Sequence, residues 1–123
     1  MAENKTIKML PRVLFAGVSS GCGKTTVACA VLQAFVNRGL RVHSFKCGPD
    51  YIDPMFHERI IGTKGSNLDL FFYGENTVRR LMAKDADITD IAVIEGVMGY
   101  YDGVGIKTME KSSYEVAKAV GAP

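Results

Sequence analysis

Short segments rich in apolar residues alternate along the chain with longer segments in which apolar residues recur every three or four positions. The short segments are typical of buried strands, and they predict strands over residues 12–18, 41–46 and 91–94. The periodic segments predict helices over residues 24–38 and 77–86. With a third helix near the C-terminus, strand and helix alternate three times, which favours an α/β fold with a parallel sheet and flanking helices.

Local signals mark the ends of the predicted helices. Gly39 supplies a C-terminal stop for the first helix, and Asn76 is a candidate N-cap for the second. Ser112 and Glu115 form a capping-box pattern that starts the third helix, which Gly121 ends. The apolar face of the first helix is predicted to consist of Val27, Val31, Leu32, Phe35 and Val36, and that of the second of Val78, Leu81 and Met82.

The remaining segments carry weaker signals. Residues 1–11 read as a polar lead-in, residues 54–61 are compatible with a short helix, and residues 62–74 show so little periodicity that we predict a connector. His43 has no partner motif around it, so we expect a packed or edge histidine of the second strand rather than a ligand. The strand–helix rhythm stops where another strand is due, and we expect residues 12–123 to be the N-terminal part of an incomplete domain.

A glycine-rich segment, residues 17–26, separates the first strand from the first helix. This order is what a phosphate-binding loop requires, because glycines let backbone N–H groups approach phosphate oxygens and the helix N-terminus adds unpaired donors. We expect Lys24 to reach the β- and γ-phosphates of a nucleotide and Thr25 to ligate Mg²⁺. The residues expected to contact the nucleotide are Gly21, Cys22, Gly23, Lys24, Thr25 and Thr26.

This loop departs from the common Walker A spacing. Five residues separate Gly17 from Gly23, so the loop is one residue longer than the usual pattern. The alternative is a helix start that merely contains Gly and Lys, but strand, glycines, Lys-Thr pair and helix all agree with a phosphate loop. Cys22 is either a thiol activated by the backbone donors of the loop or a small filler residue, and we favour the filler.

Acidic residues follow the second and third predicted strands. Asp50, Asp53 and His57 lie in a proline-punctuated loop after the second strand, where open α/β sheets place their ligands. Ligand binding and simple turn formation account for these carboxylates equally well. Glu95 closes the third strand, and we favour a role in Mg²⁺ binding over an exposed strand-end carboxylate. Asp102, in the Gly-rich loop 96–105, is either a ligand contact or a turn former.

Composition and charge exclude several classes of protein. The 123 residues carry a formal net charge of +2, too small to indicate nucleic acid as the main partner. The apolar runs are too short to span a membrane and the N-terminus lacks an apolar signal region, so we expect a cytoplasmic protein. Three cysteines without C-x-x-C spacing and two histidines argue against a structural zinc site.

Three motifs resemble those of the cobyrinic acid a,c-diamide synthases. They are Lys46-x-Gly48-Pro49-Asp50-Tyr51-Ile52-Asp53-Pro54 with His57, Asn67-Leu68-Asp69, and Glu95-Gly96-Val97-Met98-Gly99-x-Tyr101-Asp102-Gly103. The longer phosphate loop is shared with that family and with the dethiobiotin synthetases. The resemblance runs from about Arg12 to Pro123, and the first motif is its most specific part.

The resemblance implies an ATP-dependent amidoligase of the cobalamin pathway with a P-loop fold like that of dethiobiotin synthetase. Such enzymes phosphorylate the a and c acetate side chains of a corrin-type ring, and ammonia from glutamine then displaces the phosphate. ATP and Mg²⁺ would be required. The implied catalytic residues are Lys24, Asp50, Asp53 and Glu95, the Mg²⁺ ligands are Thr25, Asp50 and Glu95, and the residues facing the substrate are Tyr51, Asp53, His57, Gly99, Tyr101 and Asp102.

The resemblance also implies further strands and a C-terminal glutaminase domain that supplies the ammonia. Cys22 is not the glutaminase nucleophile, because it lacks the Gly-x-Cys-x-Gly elbow that such domains use and lies in the phosphate loop. We therefore predict that this chain alone neither hydrolyses glutamine nor completes the amidation.

Two other functions stay open. One is a dethiobiotin synthetase-like carboxylase, and the other is a nucleotide-switch module that binds a partner protein. The acidic segment 50–53 counts against both, and Ser19 stands where the partition-type ATPases carry an extra lysine. The acceptor is open among cobyrinic acid, its metal-free hydrogenated counterpart and a nickel sirohydrochlorin. A homodimer is also open, because an exposed sheet edge can pair between copies.

Overall fold

The computed structural model describes residues 10–18, 21–47, 62–68, 74–96 and 112–123. These residues contain the parallel strands β1 (Arg12–Phe15), β2 (Val42–Cys47), β3 (Lys64–Leu68) and β4 (Ile91–Glu95). They form a four-stranded sheet in the order β1-β4-β2-β3. Because the strands are parallel, their carboxyl ends meet at one edge of the sheet, where an α/β fold binds its ligands.

Strand β3 contradicts the prediction of a connector over residues 62–74. Its sequence, Lys-Gly-Ser-Asn-Leu, contains a single apolar residue and no β-branched one, so neither alternation nor propensity marks it as a strand. The segment pairs in parallel with β2, and Leu68 at its end is fully buried. Pairing and burial therefore decide the structure here, and the sheet has one strand more than the pattern predicts.

Strand β1 is shorter than predicted, since it ends at Phe15 rather than at residue 18. Phe15 pairs with Glu95, and the Gly96 amide donates a hydrogen bond to the Phe15 carbonyl at 2.8 Å. Beyond this bond the chain leaves the sheet, and Val18 is exposed in the loop that follows. Strands β2 and β4 agree with the predicted ranges to within one residue at each end.

The helices of the described residues are α1 (Lys24–Asn37), α2 (Glu75–Ala83) and α3 (Ser113–Val120), and a 3₁₀ turn (Ala86–Ile88) precedes β4. Helix α1 agrees closely with the predicted range. Helix α3 begins and ends as predicted, because the Ser112 hydroxyl accepts a hydrogen bond from the Glu115 amide at 3.3 Å and Gly121 adopts a φ of 65°.

The predicted N-cap of α2 is wrong. Gly74 is the N-cap and Asn76 lies in the first turn of the helix. Gly74 has the extended backbone that a cap requires, and its carbonyl accepts the first helical bond, from the Val78 amide at 3.1 Å. Glu75 in the first turn also suits the positive end of the helix dipole.

Helices cover both faces of the sheet. On one face, α2 and α3 complete a cluster of buried residues: Leu10, Phe45, Cys47, Leu68, Val78, Met82, Ala92, Ile94, Val116 and Val120. On the other face, Leu32 of α1 packs with Val42 and Val93. Val93 and Ile94 are adjacent in β4 and point to opposite sides, as strand geometry requires. The fold therefore has three layers, with the sheet in the middle.

The predicted apolar face of α1 is correct only in part. Val27 is 50% exposed, whereas the fully buried positions are Ala28 and Leu32. These residues are four positions apart and define a narrow stripe, from which Val27 is rotated by one position, about 100° around the helix. His43 is packed as predicted, since its Nε2 lies 2.8 Å from the Ser66 hydroxyl and its ring stacks on Phe45.

The C-terminal residues return to the edge of β1 that faces away from β4. There the Leu14 amide donates a hydrogen bond to the carbonyl of Pro123 at 3.1 Å. Among the helices that the structure describes, none combines the length and the apolar character needed to cross a membrane.

Candidate functional site

The loop between β1 and α1 has the backbone of a phosphate-binding loop where the structure describes it. Gly21 and Gly23 have φ angles of 72° and 95°, a left-handed conformation that residues with a Cβ rarely adopt. Gly23 is the N-cap of α1, which receives no side-chain cap and has no acidic residue in its first turn. The first amides of α1 therefore lack helical acceptors and carry the positive end of the dipole, as anion binding requires.

Gly17 allows the loop to fold closely onto itself. A Cβ at this position would lie 2.1 Å from Sγ of Cys22 and 3.2 Å from Cγ of Lys24. Cys22 is exposed and forms no disulfide, and its Sγ lies 3.9 Å from Nζ of Lys24. A side chain at residue 17 would therefore clash with the Cys22 side chain and crowd that of Lys24.

The start of α1 meets the end of β4 through Thr25 and Glu95. The Thr25 hydroxyl donates a hydrogen bond to Oε1 of Glu95 at 2.5 Å. Glu95 also pairs with Lys46 at the end of β2, where Nζ of Lys46 lies 2.9 Å from the same oxygen. The side chains of Lys46 and Glu95 are only 7% and 2% exposed, so this is a buried ion pair.

The sheet register brings these residues together. Glu95 pairs with Phe15 of β1 on one side and with Lys46 of β2 on the other. Phe15 leads into the phosphate loop, so the loop, the carboxylate and the lysine occupy one edge of the sheet. This arrangement depends on β4 lying between β1 and β2, which are consecutive strands in the chain.

The second carboxylate oxygen of Glu95 leaves room for a further partner. Oε2 is buried and accepts no hydrogen bond from the described residues. A buried carboxylate oxygen without a partner is costly, so it marks a place where a cation or an ordered water would be stabilised. A threonine hydroxyl and a carboxylate are oxygen ligands of the kind that Mg²⁺ prefers. Thr25 and Glu95 therefore fit a Mg²⁺ site.

Helix α3 begins directly against this edge of the sheet. A Cβ on Gly96 would lie 2.9 Å from the Ser113 hydroxyl and 3.1 Å from the Phe15 carbonyl, so glycine is needed for the close approach. Ser113 also forms a hydrogen bond with the Cys47 side chain. Burial raises the pKa of the Cys47 thiol to about 12, against smaller opposing effects of Ser113 and Lys46. Cys47 is thus a neutral thiol in the packed core and not a nucleophile.

The structure describes one part of the predicted site. The six loop residues predicted to contact a nucleotide and Glu95 lie within the described residues, and Thr25 and Glu95 are in contact. The remaining predicted site residues lie outside the described residues: Asp50, Tyr51, Asp53, His57, Gly99, Tyr101 and Asp102. The predicted short helix over 54–61 and the loop 96–105 beyond Gly96 also lie outside them.

Sequence reasoning missed Lys46 as a site residue. It begins the Lys46-x-Gly48-Pro49-Asp50 motif, but we attached no chemistry to it. The sequence did contain a signal for it, since Lys46 ends a predicted buried strand. A charged side chain is rarely buried without a partner, so a buried lysine there indicates an acidic partner nearby. All six residues of β2 are buried, Lys46 among them.

Comparison with known proteins identifies the family to which the chain belongs. Residues 13–119 match the family described as the CobQ/CobB/MinD/ParA nucleotide binding domain. With the parallel sheet and its flanking helices, this match confirms the predicted P-loop fold class.

Curated relatives match over nearly the whole chain. The cobyrinate a,c-diamide synthase of Thermoplasma volcanium is 46% identical over 114 residues, which cover 93% of this chain and 25% of the relative. That of Fusobacterium nucleatum is 48% identical over 110 residues, which cover 89% of this chain and 23% of the relative. The hydrogenobyrinate a,c-diamide synthase of Streptomyces coelicolor is 44% identical over 123 residues, covering 100% and 25%. These relatives confirm the resemblance noted from the motifs. The chain spans about a quarter of the length of the relatives it matches.

Proposed function

Because the chain belongs to the CobQ/CobB/MinD/ParA nucleotide-binding domain family, we propose that it is the ATP-binding part of an amidoligase that acts on a corrin-type acid. The names of its relatives support an acceptor whose a and c carboxylates become amides. One observation carries the proposal, the contact between Thr25 of the phosphate loop and Glu95 at the end of β4. This contact joins a phosphate-loop hydroxyl to a strand-end carboxylate, the pair that P-loop phosphoryl transfer uses to hold its metal ion.

The loop residues hold the phosphates of ATP. The left-handed backbone at Gly21 and Gly23 and the uncapped amides at the start of α1 supply donors for phosphate oxygens. Lys24 adds a positive charge to the transferring phosphoryl group. In this proposal, the backbone donors and Lys24 stabilise the charge that develops during phosphoryl transfer.

Thr25 and Glu95 hold Mg²⁺ together with Asp50. Oε2 of Glu95, which has no partner among the described residues, supports this assignment. Mg²⁺ held by these residues would supply positive charge to offset the negative charge of the transferring phosphoryl group. Asp50, which follows β2 by three residues in the sequence, is assigned to this set by resemblance alone.

The proposed reaction has two steps. First, a carboxylate oxygen of the acid attacks the γ-phosphorus of ATP, the bond to the β–γ bridging oxygen breaks, and ADP leaves. Second, ammonia attacks the carbonyl carbon of the acyl phosphate, inorganic phosphate leaves with the electrons of the C–O bond, and a proton is lost from nitrogen. A carboxylate is already ionised at neutral pH, so the first step needs alignment and charge neutralisation rather than a strong base.

Glutamine is the proposed source of ammonia, released by a glutaminase domain that we propose lies C-terminal to these residues. Neither Cys22 nor Cys47 suits glutamine hydrolysis. Cys22 lies in the phosphate loop, and the Cys47 thiol is buried with a raised pKa. On the acceptor side, resemblance assigns the contacts with the acid to Tyr51, Asp53, His57, Gly99, Tyr101 and Asp102.

The test is amidation by the gene product at its natural length. The protein is incubated with Mg²⁺, ATP, glutamine and either cobyrinic acid or its metal-free hydrogenated counterpart, and amides are detected by mass spectrometry. We expect two successive amides, with one ADP released for each. Glu95→Gln should abolish both products, whereas the matched variant Glu75→Gln, at an exposed residue of α2, should leave them unchanged.

Two results would overturn the proposal. One is ADP release that does not depend on any tetrapyrrole acid. The other is carboxylation of a diamine with bicarbonate in place of amidation, which would assign the chain to the dethiobiotin-type reaction. Because Glu95 is buried against Lys46, circular dichroism checks that Glu95→Gln still folds. Loss of activity in Glu75→Gln as well would show that the effect is not specific to the site.

A further inference from the structure

Lys46 is a charged residue in the candidate site to which the proposed reaction assigns no role. Its side chain is 7% exposed, and its Nζ lies 2.9 Å from Oε1 of Glu95. Thr25 donates to the same oxygen, while Oε2 of Glu95 accepts no hydrogen bond from the described residues. One oxygen of the carboxylate therefore contacts a cation and a donor, and the other receives no hydrogen bond from the part of the chain that the structure describes.

A buried pair of this kind is sensitive to the loss of either partner. Removing one member leaves an uncompensated charge in a poorly solvated place, which is strongly destabilising. Lys46 thus provides the positive charge that allows Glu95 to be buried in the absence of a metal ion. A second cation on the same carboxylate would lie within a few ångströms of the first, and like charges at that distance repel.

We infer that Lys46 is a positioning residue that serves as the resident counter-charge of Glu95, and that it keeps Mg²⁺ from binding unless nucleotide phosphates bind with it. The inference rests on the proposed function, because it assumes that Glu95 is a Mg²⁺ ligand. Nucleotide phosphates bring the negative charge that two cations require. Lys46 thereby couples metal binding to ATP binding, and it lowers the affinity of the site for Mg²⁺ that is not accompanied by nucleotide.

This role differs from that of a purely structural ion pair. A structural pair predicts that replacing Lys46 lowers stability and leaves the affinity for a free divalent cation unchanged or weaker. A resident counter-charge predicts lower stability together with tighter binding of the free cation, since the carboxylate is left without its positive partner. The two roles therefore predict opposite changes in the affinity of a Lys46 variant for the free divalent cation.

The experiment measures binding of Mn²⁺, a paramagnetic substitute for Mg²⁺, by the loss of the free-ion EPR signal. It uses the gene product at its natural length, with and without ATP, in the wild type and in Lys46→Met and Lys46→Gln. The matched control is Lys64→Met, because Lys64 also pairs with a carboxylate, Asp85, at 2.9 Å, but its side chain is 47% exposed and it begins β3 at the opposite end of the strands.

Without ATP, we expect both Lys46 variants to bind Mn²⁺ at least about tenfold more tightly than the wild type, which is a modest effect for the removal of one nearby cation. Lys64→Met should match the wild type. With ATP, the difference should shrink, because the phosphates compensate the charge of Lys46. Lys46→Gln carries the test if Lys46→Met does not fold, since glutamine retains a donor for Oε1.

Equal or weaker Mn²⁺ binding by the Lys46 variants, in a protein that still binds ATP with Mn²⁺, would overturn this inference and leave the proposed function intact. Failure of the wild type to bind ATP with Mn²⁺ would overturn both. Tighter binding in Lys64→Met as well would show that the loss of a lysine outside the site produces the same effect, and it would also overturn the inference.

Discussion

The hydroxyl of Thr25 lies 2.5 Å from Oε1 of Glu95, although 70 residues separate them along the chain. One residue is in the first turn of α1 and the other ends β4, so the hydrogen bond ties the phosphate loop to the neighbouring strand. The proposed nucleotide site is therefore assembled by the sheet, and changes at Thr25, which is exposed, should affect metal-dependent nucleotide binding before they affect the fold.

Replacing Thr25 by valine should selectively weaken metal-dependent binding. Valine keeps the branched shape and removes the hydroxyl, which is both the donor to Glu95 and a proposed Mg²⁺ ligand. We expect ATP affinity in the presence of Mg²⁺ to fall by roughly 10–100-fold, with little change in EDTA. Calorimetric titration under both conditions measures this, and Thr25→Ser should remain close to wild type. An equal loss in EDTA would mean that Thr25 acts on the loop itself.

Replacing Gly17 by alanine should disrupt the phosphate loop, and a second substitution should repair it. The new Cβ would lie 2.1 Å from the Cys22 sulfur, and the next contact, with Lys24, is longer at 3.2 Å. We expect Gly17→Ala to lose ATP binding and Gly17→Ala with Cys22→Ala to recover most of it, because the shortest contact is gone. Cys22→Ala alone is the control and should bind normally. No recovery in the double variant would place the cause elsewhere.

Replacing Gly96 by alanine should destabilise the fold. The added Cβ would lie 2.9 Å from the Ser113 hydroxyl and 3.1 Å from the backbone carbonyl of Phe15, and the carbonyl cannot rotate away. We expect the free energy of unfolding to fall by about 1–3 kcal/mol, measured by denaturant titration. Gly74→Ala, where a Cβ meets nothing within 4 Å, should cost less. Similar losses at both positions would contradict the crowding at Gly96.

The cysteines should differ in reactivity. Cys22 is an exposed thiol beside Lys24, whereas burial raises the pKa of Cys47 to about 12. Alkylation near pH 8, followed by peptide mass spectrometry, should modify Cys22 first and Cys47 last, and ATP with Mg²⁺ should slow the reaction at Cys22. Modification of Cys47 as fast as that of Cys22 would mean that the core around Ser113 opens readily.

Acid should weaken the contact between the start of β2 and the start of β4. Asp90 accepts hydrogen bonds from the side chain and the amide of Arg41, which lower the pKa of Asp90 below its ordinary value of 3.8. The folded protein therefore holds fewer protons there than the unfolded chain, so this stabilisation is complete above that value and is lost as the pH falls through the lower folded pKa. Asp90→Asn should flatten the dependence of unfolding on pH below about 4, measured by thermal denaturation. An unchanged profile would show that the pair contributes nothing.

The sequence predicts the local parts of this site better than its assembly. A phosphate loop is predictable because its functional groups lie in consecutive residues, the glycines, Lys24 and Thr25. Glu95 is predictable because it ends an apolar strand. The pairing of Lys46 with Glu95 cannot be predicted in this way. It depends on β4 lying next to β2 in a register that no local sequence pattern encodes. The family resemblance supplies roles for residues, but it does not supply that pairing.

Strand β3 shows the same limit for the fold. Residues 64–68 have the composition of a loop. They form a strand because they pair with the edge of β2 and bury Leu68. The N-cap of α2 is a smaller instance, since Asn76 is a better capping residue than Gly74 by preference and the backbone places the cap at the glycine. For β3, contacts with residues distant in sequence outweigh the local preference.

The central claim is that ATP bound at this loop phosphorylates a carboxylate of the acceptor. The most direct measurement follows ¹⁸O from the labelled a and c carboxylates of cobyrinic acid during amidation by the gene product at its natural length. Each amide formed should release one inorganic phosphate carrying one ¹⁸O atom, and Glu95→Gln should form neither the amide nor the labelled phosphate. Amide formation with unlabelled phosphate would contradict the acyl phosphate, and with it the role proposed for the Thr25–Glu95 site.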